Sequence, residues 1–124
     1  MSENGMTLLE VLITVLILTM LASVATLSVS FYMNEGKTRI AEGDLAALKA
    51  AARLYILDKG ILPTMMDDLV PFYLPELPKD PFVSAETVYK VTVDVDTMYI
   101  YSVGINGVDD AHSSDDIVVT VMLP

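Results

Sequence analysis

The sequence predicts an α+β fold: a long N-terminal helix, apolar in its first half and amphipathic in its second, packed on a small antiparallel β-sheet. Three observations predict it. Residues 5–33 carry a single charged side chain, Glu10. Residues 37–59 repeat apolar positions at helical spacing. Residues 87–122 hold three runs rich in β-branched and aromatic residues, separated by turn-forming Asp, Asn and Gly.

The first stretch reads GMTLLEVLITVLILTMLASVATLSVSFYM from Gly5 to Met33. A helix rises about 1.5 Å per residue and a bilayer core is about 30 Å thick, so this run is long enough to span a membrane. It is too long for the apolar part of a cleaved secretory signal, and no small-x-small site with a loop follows it. Glu10 is the exception to its chemistry. A carboxylate at the centre of a membrane helix costs roughly 2.5–3.5 kcal/mol on insertion scales, and less near an end. Two compensations are open. Thr7 and Glu10 fit the S/T-x-x-E capping box, in which both side chains satisfy amides at a helix start, and the negative charge suits the positive end of the helix dipole. Alternatively, Glu10 pairs with a positive group from elsewhere. Ser23, Thr26, Ser28 and Ser30 are small enough to let neighbouring helices approach closely. Gly36 is expected to weaken the helix, since an interior glycine costs about 1 kcal/mol relative to alanine.

From Lys37 to Lys59, Ala41, Leu45, Leu48, Ala52 and Tyr55 recur at spacings of four and three, which makes one core-facing stripe. Gly60 stops the helix and Pro63 lies just beyond. Pro71 and Pro75 make 60–86 a loop, with a short helical turn at 66–70. Residues 87–95 alternate, with Tyr89, Val91, Val93 and Val95 on one face, and predict a first strand. Residues 98–103 and 117–122 predict a second and a third.

The chain has 124 residues, a formal net charge of −10 and no Cys or Trp. Outside the apolar helix, roughly ninety residues remain, enough for one small domain. Without disulfides, a small domain needs another clamp, and a metal ion is a natural one. The acidic balance argues against direct contact with nucleic acid, which draws on clustered Lys and Arg. Catalysis finds little support: there is no Cys nucleophile, no Gly-rich phosphate loop and a single His.

Between the second and third strands, Asp109, Asp110, Asp115 and Asp116 crowd together, and no Lys or Arg follows Lys90. Hard oxygen donors in a glycine-containing loop suit Ca²⁺, which takes six to eight oxygens at about 2.3–2.6 Å. The spacing is not that of an EF-hand. His112 is expected to be exposed rather than a ligand, because a hard cation prefers oxygen.

The string GMTLLEVLI ahead of a long apolar run resembles the N-terminal signal of type IV pilins and pseudopilins. YILDKGILPT from Tyr55, LPKDPF from Leu77, and YSVGING with the later DDI extend that resemblance toward the major pseudopilin of type II secretion systems. Relatives place Gly after the aromatic of LPKDPF, where this chain has Val83. The resemblance implies a pilin-like fold with a leader over 1–5, a membrane and filament-core helix over 6–33, and a globular domain over 34–124. That domain comprises an amphipathic helix over 37–59, a loop over 60–86 and a sheet over 87–124. It implies cleavage by a prepilin peptidase between Gly5 and Met6, N-methylation of Met6, and pairing of Glu10 with the N-terminal amine of a neighbouring subunit. It also implies a calcium site drawing on Val103, Asn106, Asp109, Asp110, Asp115 and Asp116, with Asn106 where relatives have Asp. The losses of one charge there predicts weaker binding.

The implied partners are further copies of the chain, minor pseudopilins, an inner-membrane assembly platform, the peptidase and membrane lipid. The implied location is the inner membrane, spanned once, with the globular domain on the periplasmic side. The positive-inside rule alone points the other way, because Lys37 and Arg39 follow the apolar run and residues 1–5 carry no Lys or Arg. A type IV pilus or DNA-uptake pilin is the alternative within the class, although such pilins often clamp the C-terminal region with a disulfide. A membrane-anchored binding domain is the alternative outside it, and it predicts no cleavage at Gly5.

Overall fold

The computed structural model describes residues 5–83 and 87–124. The first four residues of the expected leader and residues 84–86 of the expected loop lie outside the described residues. The chain divides into two compact units, one ending at Glu35 and the other spanning Gly36–Pro124.

Helix α1 runs Leu8–Lys59, and Gly36 does not interrupt it. Thr7 caps its start: the Glu10 amide donates to Thr7 Oγ1 at 3.3 Å. This is the Thr half of the expected capping box. Every side chain over residues 5–33 is exposed. The hydroxyls of Thr14, Ser23, Thr26, Ser28 and Ser30 each donate to the carbonyl four residues back. These hydroxyls on an apolar surface thus find acceptors within the helix, as a lipid-facing or helix-facing segment requires. By length and composition, α1 is apolar enough to cross a membrane.

The second unit has a core of its own. Ala41, Leu45, Leu48, Ala51, Ala52 and Ile56 of α1 are buried. The stripe therefore ends on Ile56, while Tyr55 is half-buried against Tyr73. Gly60 takes φ +75°, and its amide bonds the Ile56 carbonyl at 2.7 Å, which closes the helix. A 3-10 turn, Met66–Leu69, follows and buries Met66 and Leu69. Asp68 accepts from the Thr64 and Met65 amides and holds its start.

The sheet is an antiparallel meander of β1 (Lys90–Val93), β2 (Thr97–Ser102) and β3 (Ile117–Met122). β2 is central, with Lys90 opposite Tyr101 and Ser102 opposite Ile117. Met98, Ile100 and Val121 complete the core with the helix residues. The first strand is shorter than the alternation over 87–95 predicts. Tyr89 is buried and Val91 half-buried as expected, but Val93 is 42% and Val95 86% exposed. Both ends have other partners. Val88 bridges Lys79, and Thr87 accepts from the Asp80 amide, so that end binds the LPKDPF segment. At the other end Asp94 turns the chain, its carboxylate accepting from the Val95 amide.

Candidate functional site

The loop over 103–116 leaves β2 and returns to β3 between the paired residues Ser102 and Ile117. It folds back over one face of β2. Burial along β2 consequently stops alternating: Met98 and Ile100 face the core, yet Tyr101 is buried as well. Its hydroxyl donates to Asp109 Oδ1 at 3.1 Å, and His112 meets its ring edge-on at 5.8 Å. His112 also stacks on Tyr99, with centroids 4.5 Å apart and planes 5° from parallel. It is half-buried rather than exposed as the sequence suggested, because its flat ring finds an aromatic face on the sheet.

Asp110, Asp115 and Asp116 each offer a carboxylate oxygen within 4.8 Å of the other two. Three of the four expected carboxylates therefore converge. Asp109 stands apart, accepting from the Tyr101 hydroxyl and the Ala111 amide. Asn106 joins the trio through its amide nitrogen, which donates to Asp110 Oδ2 at 3.0 Å and to Asp115 Oδ1. Its Oδ1 accepts from the Val108 amide at 2.7 Å. Val103 is buried at the mouth of the loop, its amide directed to Asp80. Gly104 takes φ +67°, and a Cβ there would stand 2.3 Å from the Asp115 carbonyl oxygen. The loop closes on itself at a point only glycine can occupy.

The electrostatics suit a divalent cation. Burial, with the nearby charges of Asp110 and Asp109, pushes the Asp116 carboxyl up from its ordinary pKa, partly offset by the His112 amide that donates to it. Asp116 Oδ1 is a buried atom without a hydrogen-bond partner among the described residues. A cation would relieve the repulsion and give that oxygen a partner. The cluster can therefore coordinate a divalent ion.

At the other end of the chain, Gly5 is open on all sides and Met6 is 72% exposed, directly ahead of the Thr7 cap. Glu10 lies in the first turn of α1, also exposed. A family model described as the prokaryotic N-terminal methylation motif matches residues 1–26. A relative, the type II secretion system core protein G of Pseudomonas aeruginosa, is 33% identical over 67 residues, which cover 54% of this chain and 47% of that protein. Both findings support the pilin and pseudopilin assignment that the sequence motifs imply. The matched stretch spans about half the length of that curated pseudopilin. No solved structure matches significantly. The pilin-like features are thus an apolar N-terminal helix and a helix-backed three-stranded sheet.

Spacing pointed to the acidic loop, but two of its supports escaped sequence reasoning. The His112 stack on Tyr99 and the contact of Val103 with Asp80 both join residues from different elements. No local pattern signals either.

Proposed function

We propose that this chain is a structural, non-catalytic subunit of a helical pseudopilus that supports type II protein secretion. A prepilin peptidase cuts between Gly5 and Met6, Met6 is N-methylated, and residues 6–33 anchor the chain in the inner membrane before entering the filament core. The globular domain, 34–124, stands on the periplasmic side. In the filament, Glu10 pairs with the Met6 amine of a neighbouring subunit, since a carboxylate in a low-dielectric setting is tolerable when paired. Assembly would draw on further copies, minor pseudopilins and a membrane platform.

The observation that carries this reading is the methylation motif over residues 1–26, placed on a helix whose side chains are exposed as far as residue 33. Likeness to the secretion protein favours a secretion filament over a type IV pilus or DNA-uptake pilus. The intact mass of the protein purified from its native membrane tests the reading. The expected mass is that of a methylated chain beginning at Met6. A mass retaining residues 1–5, from cells with an active peptidase, would sink it.

The cation held by the loop is, on this reading, calcium, because every donor is a hard oxygen and no cationic side chain follows Lys90. Asp110, Asp115 and Asp116 would hold it, with the Asn106 side-chain oxygen and the Val103 carbonyl as neutral donors. The Asn106 amide nitrogen donates to Asp110 and Asp115, so its oxygen would reach the ion only if the amide group turned. Calcium should raise the melting midpoint of the full-length protein in detergent relative to a chelator. A gain of about 2.7 kcal/mol is expected at calcium roughly one hundred times Kd. Identical midpoints at millimolar calcium would dispose of the calcium reading.

A further inference from the structure

Asp80, in the LPKDPF stretch, is 2% exposed and is the one buried charged residue among the described residues. Among the described residues its carboxylate accepts three hydrogen bonds. Oδ1 takes the Phe82 amide at 3.0 Å and the Ser102 hydroxyl at 2.8 Å, and Oδ2 takes the Val103 amide at 3.2 Å. Ser102 is itself fully buried, and its hydroxyl oxygen accepts from the Gly104 amide at 3.3 Å. One carboxylate thus organises three successive residues, Ser102, Val103 and Gly104, where β2 ends and the acidic loop begins. Asp80 is fixed in turn by its own amide, which donates to the Thr87 carbonyl at 3.0 Å.

The last of those three residues, Gly104, lies against Asp115. A Cβ at Gly104 would lie 2.3 Å from the Asp115 carbonyl oxygen and 3.0 Å from its Oδ2. Asp115 Oδ2 also accepts from the Asn106 amide at 3.0 Å, two residues further along. The backbone held by Asp80 is therefore in direct contact with one of the three converging carboxylates. We propose that Asp80 is the positioning residue of the acidic loop: through Ser102 and the amides of Val103 and Gly104 it fixes the shelf under Asp115, and so sets the spacing of the carboxylates for a divalent cation. This rests on the cation reading above.

A neutral isostere cannot take its place. Asparagine supplies one acceptor oxygen and one NH₂ group, but two backbone amides point at opposite ends of the carboxylate. In either orientation one donor would face another, so the Phe82 or the Val103 amide must move.

The test is a calcium titration by calorimetry on full-length protein in detergent, with wild type, Asp80→Asn, Ser102→Ala and Tyr89→Phe. All are measured at a temperature where circular dichroism shows them folded. Tyr89→Phe removes the hydroxyl that donates to Asp44 at 2.8 Å, well away in sequence from the loop, and serves as a stability control. Asp80→Asn is expected to weaken calcium binding at least ten-fold, Ser102→Ala several-fold and Tyr89→Phe not at all. Should Asp80→Asn fail to fold, Ser102→Ala decides by the same criterion, since it deletes only the bridging hydroxyl. Wild-type affinity in the folded Asp80 and Ser102 variants would overturn the positioning role and leave the cation reading standing. Equal weakening in Tyr89→Phe would reduce the effect to general stability and overturn it as well. A wild type that binds no calcium would remove the cation reading and the proposal together.

Discussion

Helix α1 follows one backbone rule and two opposite side-chain rules. Over residues 5–33 the apolar side chains all point outward, Leu8 being 85% and Leu27 77% exposed. Beyond Gly36 the same helix turns Leu45, Leu48 and Ala52 inward to complete burial. Polar groups differ in the same way. In the first unit hydroxyls bond their own helix one turn back, as in Ser23 to Thr19 and Thr26 to Ala22. In the second, some also reach across the chain, Tyr89 to Asp44 and Ser102 to Asp80. The difference shows that helix geometry carries no information about environment. Side-chain pattern does: a surface of exposed apolar groups this extensive awaits lipid or neighbouring helices, whereas the second unit supplies its own interior.

The largest expected effect would break that contrast if it failed. Leu48→Ala removes a side chain with no exposed surface and should destabilise the globular unit by about 2–5 kcal/mol. Leu16→Ala removes one that is 57% exposed in the apolar unit and should leave the same transition unmoved. Thermal melts of the full-length protein in detergent, followed by near-ultraviolet circular dichroism of the tyrosines, compare the two. An equal loss from Leu16→Ala would mean that the units do not unfold separately.

The contrast also explains what was legible in the sequence. The apolar run, the stripe from Ala41 to Ala52, the Gly60 stop and the strand Ile117–Met122 are local patterns, and each stands where periodicity places it. Over 87–95 the alternation predicts more strand than forms, because it states which side chains share a face and not which backbone pairs with which. There Val88 goes to Lys79 instead of to β2. Three of the crowded aspartates converge, but the departure of Asp109 toward Tyr101 depends on where the loop folds over the sheet. The burial of Asp80 is equally non-local, since its partners are a hydroxyl and an amide from β2 and the loop mouth. Sequence patterns thus describe the first unit almost completely, because its interactions are nearly all within one turn. They describe the second only up to the point where distant segments meet.

A smaller effect sharpens the comparison between helix and loop. Ala111 takes φ 53°, and its neighbours His112 and Ser114 take φ 60°, all in the left-handed region that side chains disfavour. That conformation costs an L-residue roughly 1–2 kcal/mol, while glycine adopts it freely and gives back up to about 1 kcal/mol through the entropy of the unfolded chain. Ala111→Gly should therefore raise stability by about 0.5 kcal/mol. Ala50 is an exposed residue inside α1 with no such constraint, so Ala50→Gly should lower stability by about 1 kcal/mol. One substitution type is expected to act with opposite signs at two exposed alanines of the same unit, and urea unfolding in the presence of chelator measures both. A loss at Ala111 matching that at Ala50 would mean that the loop leaves its left-handed conformation in solution, and the carboxylate cluster built on it would lose its preorganisation.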